Sequence, residues 1–217
     1  MAPIAARAGR NKPSYDETHT RILEATIDSI GTLGLSATTV QTIADLAKVS
    51  TATVIKHFKT KEGILEAVIA MLARDFEVER HRVTDEAGGD AVKCLLLLVE
   101  LSFDPKLSSD RYIRAWYAYS GEVTARSAFE RHMGPVDQAF ERQVKGLFRH
   151  LAKTSGNPSI DSDVLAIGFI GTLEWLWQER LLRRWKSRPN WGKKVMLSYL
   201  ASVLPDHFAA PALRARK

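Results

Sequence analysis

The chain has a single cysteine, Cys94, in 217 residues. No internal disulfide framework can form, and the position of Cys94 in an apolar run marks a small buried side chain rather than an activated nucleophile. An uncharged apolar run of the ~18 residues needed to cross a bilayer is also missing; the longest candidate, Val92 to Phe103, is broken by Lys93 and Glu100. The opening stretch MAPIAARAGRNKPSYD has no apolar core long enough for a signal peptide. The expectation is a cytoplasmic chain without a membrane partner. Sustained period-two alternation is absent, which removes the sheet classes and leaves an all-α chain. Catalytic signatures are absent as well. The six histidines show no H-E-x-x-H or comparable ligand spacing, and no G-x-S-x-G, P-loop or G-x-G-x-x-G occurs. Carboxylate pairs such as Asp161 and Asp163 suit a helix N-terminus. Neither an enzyme nor a metal site nor a cofactor is expected.

What the chain does have is an uneven charge. The net charge is +6, made of +3 in residues 1–61, −6 in residues 62–179 and +9 in residues 180–217. The C-terminal excess reads as a solvated basic face, since charge runs alone are weak evidence of a partner. Residues 1–13 form an aperiodic basic arm with Arg7, Arg10 and Lys12, expected to be disordered when free. Residues 14–61 then read as a small helical domain and residues 62–210 as a larger one.

The small domain centres on TTVQTIADLAKVSTATVIKHFKTK, Thr38 to Lys61. Ahead of it, Ser14 and Glu17 have capping-box spacing, and Ile22, Leu23, Thr26, Ile27, Ile30 and Leu33 make a helical stripe that Gly34 stops. Thr39 can cap a helix over Val40–Ala47, with Ile43, Leu46 and Ala47 as its buried stripe. Lys48-Val49-Ser50 is the turn, with Val49 the apolar plug and Ser50 the cap of a second short helix from Thr51 to His57. Two turns of helix do not persist alone in water, so this helix must be held by neighbours and can show its outer face to a partner. That face carries Thr51, Ala52, Thr53, Ile55, Lys56 and His57, a set suited to base edges and phosphates in a major groove. Gln41, Thr39 and Ser50 stand at its margin. Lys61, where the next helix starts, favours a phosphate together with the free amides there.

From Thr39 to Leu65 the residues follow T-V-x-x-I-A-x-x-A-x-V-S-x-x-x-x-x-x-H-F-x-x-K-E-x-L/I-L almost without a gap. This stretch resembles the TetR family of transcriptional regulators. Two departures stand out: Lys48 where the family usually has glycine in the turn, and Ile55 where it usually has tyrosine. Lys48 costs some turn strain, and Ile55 removes one polar backbone contact. The resemblance implies an N-terminal three-helix helix-turn-helix domain and a larger ligand-binding and dimerisation domain. It further implies a double-stranded DNA operator as partner, and a homodimer through the last two helices.

Beyond Lys61 the pattern predicts a long linking helix to about Thr84, ended by Gly88-Gly89, and a fifth helix from Ala91 to Phe103 capped by Asp90. A sixth should run from Pro105 to about Ser120. The seventh should run from Val123 to Lys153, kinked or interrupted at Gly134-Pro135. An eighth from Asp161 to Lys186 and a ninth from Trp191 to Leu204 complete about nine helices. Gly168 and Gly171 leave room for something to approach the eighth, and Val195, Met196, Tyr199, Leu200 and Val203 form a stripe on the ninth.

Tyr112, Trp116 and Tyr119 share one face of the sixth helix, with Tyr117 on the other. Trp175 and Trp177 sit on the eighth, flanked by Glu174 and Glu179, and Phe103 and Phe129 are further candidates. Aromatics at helical spacing are more often core than ligand site. Rings near carboxylates in a net-negative domain nevertheless suit a quaternary ammonium, at ~2 kcal/mol per desolvated contact. KHFKTKEGILEA, RAWYAYSGEV and TLEWLW are similar to the matching stretches of BetI-type, choline-responsive members of the family. A small-molecule effector is therefore expected, a quaternary amine or an aromatic compound, bound by Phe103, Tyr112, Trp116, Tyr119, Phe129, Glu174, Trp175 and Gln178. The competing reading is an effector-independent DNA-binding or protein-interaction module whose aromatics are all core.

Overall fold

The computed structural model describes residues 14–122, 125–155, 161–182 and 190–209. Among them every regular element is helical: α1 (Tyr15–Leu33), α2 (Val40–Ala47), α3 (Thr51–Phe58), α4 (Lys61–Ala87), α5 (Ala91–Ser102), α6 (Pro105–Ser108), α7 (Asp110–Gly121), α8 (Arg126–Thr154), α9 (Ser162–Leu181), α10 (Trp191–Val203) and α11 (Pro205–Phe208). The starts are set by local chemistry. Ser14 accepts from the Glu17 amide at 3.1 Å while its own amide donates to the Glu17 carboxylate at 2.7 Å, a capping box. Thr39, Ser50, Asp90 and Asp161 cap α2, α3, α5 and α9 through their side-chain oxygens, each satisfying amides that no earlier turn can reach.

Three elements differ from the sequence expectation. The expected sixth helix is two: Ser109 is extended (φ −63°, ψ 154°), so Pro105 opens a single turn and Asp110 restarts the chain as α7. The expected seventh runs through Gly134-Pro135 without interruption as α8, held by Met133 before the proline and Val144, Phe148 and Leu151 beyond it, all buried. The chain turns once more after α10 into α11. Eleven helices among the described residues thus replace about nine. Val123, the arm at 1–13 and the end of the expected eighth helix near Lys186 lie outside the described residues.

The apolar stripes converge on two cores. Ile22, Ile27, Ile43, Ala47, Val54 and Ile64 join α1 to α4, and that core continues into Leu72, Ala115, Tyr119 and Met133. A second gathers Val92, Leu95, Leu98, Phe148, Phe169, Leu176 and Met196. Each valine, leucine, isoleucine, phenylalanine or methionine among them contributes about 1.5–3 kcal/mol on full burial. Leu46 corrects the sequence reading. It is 51% exposed, because the buried side of α2 is centred on Ile43, Ala44 and Ala47 and leaves Leu46 on the flank. Leu33, expected in the α1 stripe, is also exposed.

Gly168 finds its partner within the same chain. A Cβ there would stand 2.6 Å from the Tyr199 hydroxyl, which donates to the Leu165 carbonyl at 2.6 Å. The missing side chain lets α10 seat against α9.

Candidate functional site

The first site is the outer surface of α2 and α3. Thr51, Ala52, Ile55 and Lys56 are exposed on α3, while Val54 and Phe58 are buried beneath them. Gln41 is exposed on α2 and donates to Asp45 at 2.8 Å. Thr39 and Ser50 spend their hydroxyls on the caps, and Thr53 lies half-buried with its hydroxyl 2.9 Å from Ser50 Oγ. Lys61 is the first residue of α4, and its ammonium donates to the Ser36 carbonyl at 3.3 Å.

His57 departs from the expected outer face. Its ring stacks on Tyr15 of α1, with centroids 4.1 Å apart, and lies near His19 at 5.8 Å. Its Nδ1 is buried without a hydrogen-bond partner among the described residues. Burial first, then His19 and Lys56, push its pKa below the usual imidazole value. His57 therefore packs α3 onto α1, which no spacing within α3 could show.

Two lysines outside the expected set bracket α3. Lys48 and Lys59 are both exposed and both have positive φ, 54° and 68°. Lys48 occupies the left-handed position where a glycine would sit most easily. Lys59, at ψ −54°, lies at the centre of a tight turn in which the Thr60 amide donates to the Phe58 carbonyl at 2.8 Å, a strained γ geometry. That turn is sealed by Gly63, where a Cβ would meet the Phe58 carbonyl oxygen at 2.5 Å.

The second site is a half-open cavity of about 610 Å³ between α4, α5, α7, α8 and α9. Of the eight residues expected there, Trp116, Phe129 and Glu174 line it. The other five are placed elsewhere. Tyr119 is fully buried in the first core and donates to the Leu65 carbonyl at 2.9 Å. Tyr112 faces α1 and donates to Glu24 at 3.2 Å. Phe103 fills the space above Gly192. Trp175 is exposed, with Trp191 at 5.9 Å, and Gln178 is exposed outside the lining.

Tyr117 and Trp177 take their place, with Phe76, Phe140, Asp137 and Glu141. Tyr117 was expected to point away; instead its hydroxyl donates to the Glu174 carbonyl at 3.2 Å. Trp177 Nε1 donates to the Ser102 carbonyl at 2.8 Å, and its ring meets Trp116 edge-on at 6.1 Å. Trp116 in turn meets Phe129 at 5.6 Å, and Phe76 meets Phe140 at 5.7 Å, both in edge geometry, the arrangement ring quadrupoles favour. Burial and then the neighbouring Glu174 raise the Asp137 carboxyl to about 6.

α7 lies between the cavity and α1. Its cavity side carries Trp116, Tyr117 and Ser120. At its other end Arg111 pairs with Glu24 and, at 2.9 Å, with Asp28, both on α1. The hydrogen bonds and charges of those two carboxylates outweigh burial and raise the guanidinium pKa. Glu122, just beyond α7, accepts from Ser36 at 3.4 Å.

Residues 22–68 match the family described as "Bacterial regulatory proteins, tetR family". The chain is 30% identical over 111 residues to the "HTH-type transcriptional regulator BetI" of Paraburkholderia xenovorans (strain LB400), a match covering 51% of this chain and 57% of that protein. The chain thus spans about half the length of the curated relatives it matches first. A TetR transcription regulator from Haloarcula marismortui ATCC 43049 shares the fold at a TM-score of 0.71 and 19% identity, covering 88% of this chain and all of that one. AibR, solved in complex with isovaleryl coenzyme A and operator DNA, shares it at a TM-score of 0.65 and 17% identity, covering 87% of this chain and 99% of its own.

Proposed function

We propose, from the premise that residues 22–68 are a TetR-family domain, that the protein is a homodimeric transcriptional repressor, released from a pseudo-palindromic operator by a small organic effector. The observation that carries this is the exposed face of α3: Thr51, Ala52, Ile55 and Lys56 stand outward between Lys48 and Lys59, on a helix buried from behind. An α-helix so displayed fits the major groove, where hydroxyls, a methyl group and a cation meet base edges, while lysines and helix N-termini meet phosphates. Gln41 at the start of α2 and Lys61 at the start of α4 flank it for backbone contact. Ile55 can meet a thymine methyl but donates no hydrogen bond.

Two such helices related by a two-fold axis read half-sites roughly 34–36 Å apart. The surface for that pairing is on α9 and α10, where Val164, Ile167, Trp175 and Leu197, with Leu182 just past the end of α9, are exposed large apolar side chains. Several large apolar side chains left exposed on neighbouring helices favour an association surface there.

The effector, a quaternary amine or an aromatic compound, occupies the cavity. Its influence reaches α1 through α7, because Arg111 ties the helix that carries Trp116 and Tyr117 to Glu24 and Asp28. The linking helix α4 is the second route: Phe76 lines the cavity, and Glu66 pairs with Arg131 and His132 of α8. Effector binding acts only to the extent that its affinity differs between the DNA-binding and released conformations. The complex of AibR with a ligand and operator DNA supports a fold able to hold both. No helix among the described residues is long and apolar enough to cross a membrane, and the proposed site of action is the cytoplasm.

The test is titration of purified protein onto duplexes from the region upstream of its gene and onto random duplexes at low salt. Tight binding to an inverted repeat, with Lys56→Ala altering the sequence preference, is the expected result. Equal, weak binding to all duplexes would overturn the reading.

A further inference from the structure

We propose that the cavity is built for an organic cation with a large aromatic or apolar body, and that the Asp137 carboxylate is the counter-ion that recognises it. The inference rests on reading the cavity as the effector site and names the chemistry of that effector. The walls supply aromatic rings: Trp177 and Tyr117 line the cavity with their polar atoms tied to the Ser102 and Glu174 carbonyls. Their rings are held in place, and a cation at a ring face is attracted by the ring quadrupole. The charged groups in the wall all carry one sign. Asp137 and Glu141 come from α8 and Glu174 from α9; α4 contributes Phe76, α5 Ser102 and α7 the neutral Trp116, Tyr117 and Ser120. No Lys, Arg or His lines the cavity among the described residues.

The three carboxylates are not equivalent. Glu141 is paired with Lys145 at 2.7 Å. Asp137 has neither an ion pair nor a hydrogen-bond partner among the described residues, and Glu174 offers it only like charge. A carboxyl so placed is held partly protonated near neutrality, and a cation entering the cavity would displace that proton. Size sets the rest of the ligand. A cavity of about 610 Å³ is in the range that encloses drug-sized molecules, and a choline-sized headgroup would leave most of it unfilled.

Arylmethyl-trimethylammonium ions with one to three fused rings, each paired with its uncharged isostere in which carbon replaces nitrogen, test this on the full-length protein. Binding is read by quenching of tryptophan fluorescence and by calorimetry in two buffers of different ionisation enthalpy. At about pH 7.5 the ions should bind at least about tenfold more tightly than their isosteres. Their affinity should fall about tenfold by about pH 5, as the competent ionised form of Asp137 is depleted, and near pH 6 binding should release protons. Asp137→Asn should abolish both the pH dependence and the proton release; its folding is checked by the unchanged binding of the largest isostere. If ions and isosteres bind equally, or the ions bind without proton release, the assignment of Asp137 is overturned while the cavity remains an effector site. If neither ions nor isosteres bind, both readings fall.

Discussion

Lys59→Gly should make the protein more stable and, at the same time, a poorer binder of DNA. Lys59 sits at φ 68° and ψ −54°, in a region a side chain occupies only under strain, typically at a cost of about 1–3 kcal/mol. Glycine removes that cost but loses about 0.5–1 kcal/mol through the freer unfolded chain. The net gain is about 0–2.5 kcal/mol and centres near 1 kcal/mol, which for a chain of this size raises the melting temperature by roughly 2–4 °C. On DNA the same substitution removes one cation from each protomer. If each meets a phosphate, the dimer loses two contacts, and the slope of log affinity against log salt shrinks by about 1.8. Differential scanning calorimetry reads the first effect and fluorescence anisotropy across a salt series the second. Lys59→Ala is the control, since it removes the charge and keeps the Cβ, so it should reproduce the DNA effect without the gain in stability. A melting temperature unchanged or lowered by glycine would refute the strain at this turn, and an unchanged salt slope would refute the phosphate contact.

Further expectations follow from the same geometry. Gly63→Ala drives a Cβ to within 2.5 Å of the Phe58 carbonyl and should cost about 1–3 kcal/mol of stability, seen as a lowered denaturant midpoint. Arg111→Ala breaks part-exposed pairs with Glu24 and Asp28; it should cost only about 1 kcal/mol in denaturant unfolding. In anisotropy it should reduce the factor by which a cavity ligand weakens DNA binding. Asp137 titrates at about 6 against an ordinary 3.8, so the folded state holds its proton more tightly than the unfolded chain does. Its stabilising contribution is full below the ordinary value and lost as pH rises through about 6. Asp137→Asn should therefore raise the melting temperature more at about pH 7.5 than at about pH 5, and an equal shift at both would contradict the raised carboxyl.

The parts of this molecule that local chemistry decides were legible from the sequence. Ser14, Thr39, Ser50, Asp90 and Asp161 each satisfy amides within three residues, so the starts of five helices could be read without knowing what packs on them. The positive φ at Lys48 was foreseeable from the family resemblance, in which glycine usually holds that turn position. Orientation across helices was not legible. Along α9, Leu173, Trp175, Leu176 and Trp177 follow almost in succession, and an apolar run of that kind has no polar face to show its rotation. Contacts from Ser102 and Trp116 turn Trp177 into the cavity and leave Trp175 outside. On α8, Asp137 and Glu141 are exposed charges on an amphipathic helix, and only the crossing of α9 shows that they also line the cavity. His57 follows the same rule, because Tyr15 and His19 reach it from a helix far back in the chain.

Selection of duplexes from a random library by the purified protein at low salt, followed by sequencing, tests the central claim most directly. The account predicts enrichment of an inverted repeat whose half-site centres lie about one helical turn, or a multiple of it, apart. It also predicts a changed consensus for Lys56→Ala and loss of the bound fraction when a cavity-binding ligand is added. A pool that stays random, or one enriched equally by a protein lacking residues 1–61, would contradict it.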